Sequence, residues 1–540
     1  MALRIKEDMV QLESIIGSNS AQTVAEGTIT IPGSMPSAER IVKVSAVPSI
    51  REDWLEEDRV NIEGAVSITL IYAGQYETGK AYYGSVQATE VVPFAHFVDV
   101  PGALPDMQVS SRANLLDLQP TLRSDGRTID LDLILEVTAV VTVGQDMIFV
   151  TDASVSPPTK LKLVKEPVHV EDVIGEGAVQ AEIREMLSVP VSAGHPVRML
   201  DLQGHFRVVE KRTMTDRAII LGTMNYKAIC AGSSPDTGDE QLLVYRWDDI
   251  SRMELTAAIP GSKAGMIVHS QLEPPRIVGR IVNDGQFISV EGTMGYKTKV
   301  VQPRDITAIT DVQVEPDLEI GLRWEPIMIN QIGDSVAKEV YIDGTVELPE
   351  SRPPLERLLD TEFRAAVTST TVVGNRVMVS GYVDLAAIYI GRTDDFAEPV
   401  YQASWNNAGV FEASMNVPTV SVDAGIDANV VILDTRAEPL SRDTIGYHVT
   451  AKVSCRVKEP LTKEIVAEAV ELRKFPGRLP TYTCVNIQPD DTMWQLATRY
   501  RTTAEALLEQ NPDLVDLHPS QVLPVGTRVF ITKHGASSLL

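Results

Sequence analysis

The sequence predicts a mainly β protein, with three tandem β-rich, sandwich-like repeats followed by a small β-α-α-β module. Three observations predict it. The 540 residues carry only 5% aromatics, while Val, Ile and Thr recur throughout, a balance that suits strands. A motif repeats at a period near 158 residues. From about residue 484 the texture changes to helical spacing.

The repeat is the primary signal. The string 60–74 (VNIEGAVSITLIYAG) reappears at 218–232 and at 377–391, and its first glycines, Gly64, Gly222 and Gly381, lie 158 and 159 residues apart. Upstream, Gly17, Gly175 and Gly333 end Val-Ile-Gly-like triplets at spacings of 158 and 158. The domains expected from this are 1–155, 165–311 and 325–474, with linkers near 155–167, 311–325 and 474–481. Each copy is itself doubled. Pro32 and Pro101, Pro190 and Pro260, and Pro349 and Pro418 follow strand-like runs at internal offsets of 69, 70 and 69. About 28 residues after each proline an alternating segment begins, near Val60, Ile129, Ala218, Ile288, Val377 and Ile445. Period-two alternation means one face buried and one solvated, as in antiparallel sheet. Prolines fit strand ends, where the missing N–H costs no ladder bond. Turn formers at 123–126, 283–285 and 373–376 sit just before such strands, where hairpins would place them. The expectation is a β-sandwich or partly open barrel per half-unit, six half-units in all.

In the last segment a short apolar start, Val485 to Ile487, precedes Asp491–Tyr500, where Met493, Leu496, Ala497 and Tyr500 fall on one helical face. Asp491 is the expected N-cap. Thr502 with Glu505 reads as a capping box for a second helix ending at Asn511-Pro512, and 526–531 reads as a closing strand.

Composition narrows the function. Lys and Arg number 48 against 74 Asp and Glu, a net charge of −26, and no basic cluster offers a footprint for nucleic acid or an anionic membrane. No stretch approaches the ~18–20 apolar residues of a membrane span, and the start of the chain lacks a signal-peptide core. Cys230, Cys455 and Cys484 are too scattered for a disulfide framework or a zinc site, so a reducing cytoplasm is the expected setting. Neither catalytic residues, a metal site nor a cofactor is expected. Gly74–Lys80 has phosphate-loop spacing, but Ala81 stands where Ser or Thr should bind magnesium, which favours a hairpin. His195 and His205 are expected to be structural or surface imidazoles. Cys230 and Cys455 fall at inward strand positions, where a thiol behaves as a small hydrophobe. Trp494 is expected to pack, while Trp54, Trp247, Trp324 and Trp405 share no evident context.

Residues 487–497, Tyr500, Thr503, Leu507, Asn511-Pro512 and 523–531 together resemble a LysM module over 484–532. Such modules bind N-acetylglucosamine polymers such as peptidoglycan. The resemblance implies a groove formed by Asp490, Asp491, Thr492 and Met493 with Asn511, Pro512, Asp513 and Leu514. One departure stands out, because the family's Gly-Asp-Thr is here Asp490-Asp491-Thr492. Paired carboxylates favour a protein partner over a neutral glycan. The repeats, with strand ends such as Val98-Asp-Val-Pro-Gly102, resemble the SPOCS domain of endospore-forming bacteria. Tandem SPOCS units with one C-terminal LysM are similar to the spore-coat morphogenesis family. That likeness implies a non-catalytic scaffold at the forespore surface in the mother cell, whose LysM engages the SpoIVA-like coat ATPase. The alternative is a peptidoglycan-binding cell-wall or cortex protein.

Overall fold

The computed structural model describes residues 2–156, 161–190, 194–233, 240–314, 318–392, 399–417, 424–474, 482–500, 502–514 and 517–532. Strands β1 (Ala2–Thr30), β2 (Ala38–Glu56), β3 (Arg59–Gln75), β4 (Ala81–Asp99), β5 (Gln108–Leu122) and β6 (Thr128–Ser156) form two antiparallel sheets, ordered β1-β6-β5 and β2-β3-β4. The same plan follows with β7 (Leu161–Ser188), β8 (Pro196–Met214), β9 (Arg217–Ser233), β10 (Glu240–Ala258), β11 (Ile267–Leu272), β12 (Arg276–Val282) and β13 (Phe287–Val314). Here β13 runs between β7 on one side and β11 and β12 on the other, and β9 between β8 and β10. The third set is β14 (Leu318–Glu347), β15 (Leu355–Val373), β16 (Arg376–Gly391), β17 (Val400–Asn416), β18 (Gly425–Pro439) and β19 (Thr444–Lys474), ordered β14-β19-β18 and β15-β16-β17.

The six alternating segments are the six central strands: β3, β6, β9, β13, β16 and β19. A central strand is paired on both edges, so its inward side chains are the most enclosed in the sheet. Ile129, Leu131, Leu133, Leu135, Val137 and Val141 of β6 are all fully buried, while Asp132 between them is exposed. The expected turns also form. Gly126, Gly285 and Gly374 have φ of 65°, 84° and 58°, with Asn283 and Asp284 also at positive φ. Pro32, Pro101, Pro190, Pro260 and Pro349 each lie two residues beyond a strand end; Pro418 lies outside the described residues.

A sandwich per half-unit is the part of the expectation the structure corrects. Each half-unit is one sheet, and two sheets close on one core. In the first unit that core joins Ile29 of β1, Leu70 and Tyr72 of β3, Phe94 of β4 and Leu133 of β6. The face of each sheet that carries these residues is apolar and must be covered, and the second sheet covers it.

The repeat glycines make room for rings. A Cβ on Gly64 would meet Phe94 Cζ at 2.4 Å, and one on Gly381 would meet Phe411 Cζ at 2.3 Å. In the second unit Met253 faces Gly222 on β10, and Phe206 from β8 supplies the ring instead, 2.3 Å from the same point. Trp247 and Trp405 do share a context, contrary to expectation: they lie 158 residues apart. The indole of Trp247 donates to the Ser188 carbonyl (2.8 Å) and that of Trp405 to the Glu347 carbonyl (2.8 Å), each at the end of a unit's first strand.

The expected linkers are also corrected. Residues 161–167, 311–314 and 318–325 are strand, within β7, β13 and β14; residues 157–160, 315–317 and 475–481 lie outside the described residues. The reason is a second layer of packing. The outer halves of β1 and β6, β7 and β13, and β19 converge on a core of Val10, Leu12, Phe149, Val168, Ile306 and Ile465. A second inter-unit core joins Val42, Ile71, Leu200, Ile229, Ile388 and Ile390. The three units form a closed ring in which each touches both others.

Candidate binding site

The C-terminal residues form β20 (Tyr482–Asn486), α1 (Met493–Tyr500), α2 (Ala504–Gln510), a single 3-10 turn (Pro512–Leu514) and β21 (Arg528–Thr532), with β20 and β21 antiparallel. Ile487, Met493, Leu496, Ala497, Leu507, Leu514, Leu523, Val529 and Ile531 make its core.

Both helix starts differ from the sequence reading by one residue. For α1 the cap is Thr492, not Asp491. Thr492 Oγ1 accepts from the Gln495 N–H (3.2 Å) and Gln495 Oε1 accepts from the Thr492 N–H (2.9 Å), a reciprocal capping box. For α2 the cap is Thr503, whose hydroxyl accepts from the Ala506 N–H at 3.1 Å, while Thr502 is buried. In both cases adjacent polar residues compete for one geometric role, and the backbone phase of the helix decides between them.

The eight expected groove residues divide sharply. Asp491 is buried, accepting from the Gln488 N–H (2.9 Å) and from Arg499 Nη2 (2.8 Å). Met493 and Leu514 meet in the core. Asn511 is buried too: its amide donates to the carbonyls of Leu507 and Phe530 (both 2.7 Å) and its Oδ1 accepts from the Phe530 N–H (2.8 Å), pinning α2 to β21. Asp490, Pro512 and Asp513 face solvent, and Thr492 is half-buried with its hydroxyl committed to the cap. Four of the eight side chains thus hold the fold, and the surface belongs chiefly to the other four.

Asp490 has a φ of 68°. That left-handed conformation explains why the family motif places glycine there, and Asp is among the few other residues that tolerate it. Beside it runs a segment that sequence reasoning did not single out as site. Leu523 N–H donates to the Asp491 carbonyl (2.9 Å), Trp494 N–H to the Pro519 carbonyl (3.2 Å), and Thr492 bridges to Val522. The first loop and the loop after the second helix are therefore hydrogen-bonded directly, with Val522 and Val525 exposed on their surface. These contacts are non-local, and only the family-like run 523–531 hinted at them. Trp494 packs as expected, 3% exposed. Lys162 Nζ of β7 lies 4.8 Å from its ring centre and 2.9 Å from Glu505 Oε1, tying the module to the second unit.

Gly74–Lys80 is a hairpin turn between β3 and β4, closed by Tyr76 N–H to the Lys80 carbonyl (2.9 Å) and Gly79 N–H to the Tyr76 carbonyl (2.8 Å). His195 and His205 are exposed. Cys230 and Cys455 are buried, and burial pushes the Cys230 thiol up to about 12, far from a nucleophilic thiolate. Among the described residues no group of three or more His, Cys, Asp or Glu is placed to hold a metal ion.

The fold is thus a set of three units of paired β-sheets followed by a small module with two helices. Residues 37–122 match the family model described as SipL, SPOCS domain, and residues 485–532 match the LysM domain. The first match spans β2 to β5 and leaves out the long strands β1 and β6. The chain thus carries a sporulation-related SPOCS domain and a LysM domain, the latter of a type that binds glycan or peptidoglycan, and both are binding modules. No curated protein and no solved structure matches the chain. No helix among the described residues is long and apolar enough to cross a membrane.

Proposed function

We propose that this protein is a non-catalytic scaffold of spore-coat assembly, acting in the mother-cell cytoplasm at the forespore surface. The division we propose is SPOCS-like units over 1–155, 165–311 and 325–474 and a LysM module over 484–532. Its LysM surface takes a protein partner, a SpoIVA-like coat ATPase, instead of glycan. The observation that carries this reading is Asp490, an exposed carboxylate at the left-handed position where the LysM motif has glycine. Exposed Asp513 adds a second charge on the loop after α2. Over 484–532 there are six Asp and Glu against three Arg, a net charge of −3. An acidic rim of this kind steers a cationic or hydrogen-bond-donating protein surface. A neutral sugar gains nothing from it.

The LysM match itself favours a second reading, peptidoglycan binding in wall or cortex, with exposed Val522 and Val525 against the sugar face. Sedimentation of the full chain with purified sacculi, beside pull-down of the purified coat ATPase, separates the two. Capture of the ATPase without sacculus binding supports the scaffold; sacculus binding alone overturns it.

A further inference from the structure

Where the three units meet, three equivalent positions carry unlike charges. Lys43, Asp201 and Asp360 lie 158 and 159 residues apart. They pair in register with Ile71, Ile229 and Ile388, which also lie 158 and 159 apart. All three charged side chains are buried. Three neighbouring positions complete the set. Ser45, Gln203 and Glu362 are equivalent, as are Thr69, Lys227 and Ala386, and Gln87, Arg246 and Ser404, each trio placed by the same cross-strand pairing.

The ion pairs run between units. Lys43 Nζ is 3.3 Å from Glu362 and 3.9 Å from Asp201. Lys227 Nζ is 3.0 Å from Asp360 and 2.9 Å from Glu362. Arg246 pairs with Asp360 and donates to the Thr361 carbonyl at 2.9 Å. At the centre of the apolar core beside them stand Ile71, Ile229 and Ile388, the same residue in all three units, and this contact cannot tell one unit from another.

Counted over these four positions, the first unit contributes +1 (Lys43), the second +1 (Asp201 against Lys227 and Arg246) and the third −2 (Asp360 and Glu362). The sum is zero. A ring with two third units and either sister would hold −3 at the same place, and one without a third unit +3. Uncompensated charge in such a site is strongly destabilising, whereas a complete network replaced by apolar residues is often neutral in stability.

We propose that this charge cluster specifies the composition of the ring, admitting one third unit beside two cationic sisters and rejecting the third unit of another chain. The best-attested role for buried polar groups among otherwise interchangeable apolar interfaces is this kind of registry. A protein built from three similar units needs it, because the central isoleucine contact is the same in every unit, including those of neighbouring molecules.

Two full-length variants test it. Asp360→Asn with Glu362→Gln leaves +2 at the junction and should lower the urea midpoint. Adding the apolar exchange on both sides (Lys227→Met, Arg246→Met, Asp360→Leu, Glu362→Met) leaves the Lys43–Asp201 pair, restores neutrality and should recover the midpoint. This fourfold variant should lose fidelity. Refolded from urea at high protein concentration and examined by sedimentation velocity, it should return as a mixture of larger species, where the parent returns as one. A fourfold variant that refolds as the parent does, a parent that itself refolds as a mixture, or an unchanged midpoint in the first variant overturns the proposal.

Discussion

Replacing Gly64 with alanine asks whether the repeat glycines exist to seat a ring. The added Cβ would lie 2.4 Å from Phe94 Cζ and 2.4 Å from the Ser49 carbonyl oxygen, where ordinary contact begins at 3.4 Å. About 1 Å of room is therefore missing on two sides at once. Phe94 is buried and Ser49 belongs to the paired strand β2, so neither can step aside freely. Overpacking of this kind costs roughly 1–3 kcal/mol. Alanine returns about 0.4–1 kcal/mol by restricting the unfolded chain. The net loss is on the order of 1–2 kcal/mol, a factor of roughly 5–30 in the folded population of the first unit. Hydrogen exchange of the full chain, read on peptides covering β3 and β16, measures it: protection should fall over 59–75 and hold over 376–391. Adding Phe94→Leu should recover part of the loss, because the shorter side chain frees the space that the ring held. Unchanged exchange over 59–75 in Gly64→Ala would refute the ring-seating argument.

Two further outcomes follow from the same structure. Leu133→Asp places a carboxylate at a fully buried position of β6 and should cost at least the ~2–5 kcal/mol of a core truncation, whereas exposed Asp132→Asn should stay within about 0.5 kcal/mol; equal urea midpoints would show the inward face to be misassigned. Burial alone would push Glu362 up, yet Lys43 and Lys227 hold it down to about 2, below its ordinary 4.5. Its folded pKa is depressed, so its stabilising contribution is complete above the ordinary value and fades as pH falls towards about 2. The difference in urea midpoint between the parent and Glu362→Gln should therefore shrink on acidification through that window, and a difference that stays constant would contradict the pairing.

What the sequence disclosed, and what it hid, divides along local and non-local lines. The six central strands were legible because a strand paired on both edges has one face wholly enclosed, and alternation from Ile129 to Val141 records that enclosure residue by residue. Residues 161–167 of β7 read as linker from the sequence. Leu163 there packs with Val150, Val312 and Val466, one from each unit, and a register shift between Ile309 and Asp311 interrupts the parity of its partner strand. The helices of the LysM module were legible from spacing, but spacing does not say which face is core and which is groove. Met493 and Leu514 therefore turned out to be interior, and Asn511 is committed to β21, 19 residues away. Trp247 and Trp405 became meaningful only at the repeat offset, as did Lys43, Asp201 and Asp360. Each looks ordinary in its own strand, and only superposing the copies shows that the same position carries opposite charge.

Asp490→Gly in the full chain, measured against both the purified coat ATPase and insoluble peptidoglycan over a range of salt, tests the central claim most directly. The substitution removes an exposed carboxylate and places glycine at a φ of 68°, where it is unstrained, so the module should stay folded. The account predicts weakened and less salt-sensitive binding to the ATPase, together with a gain in peptidoglycan binding. Unchanged behaviour towards both ligands would contradict it and would leave Asp490 as a turn residue outside the recognition surface.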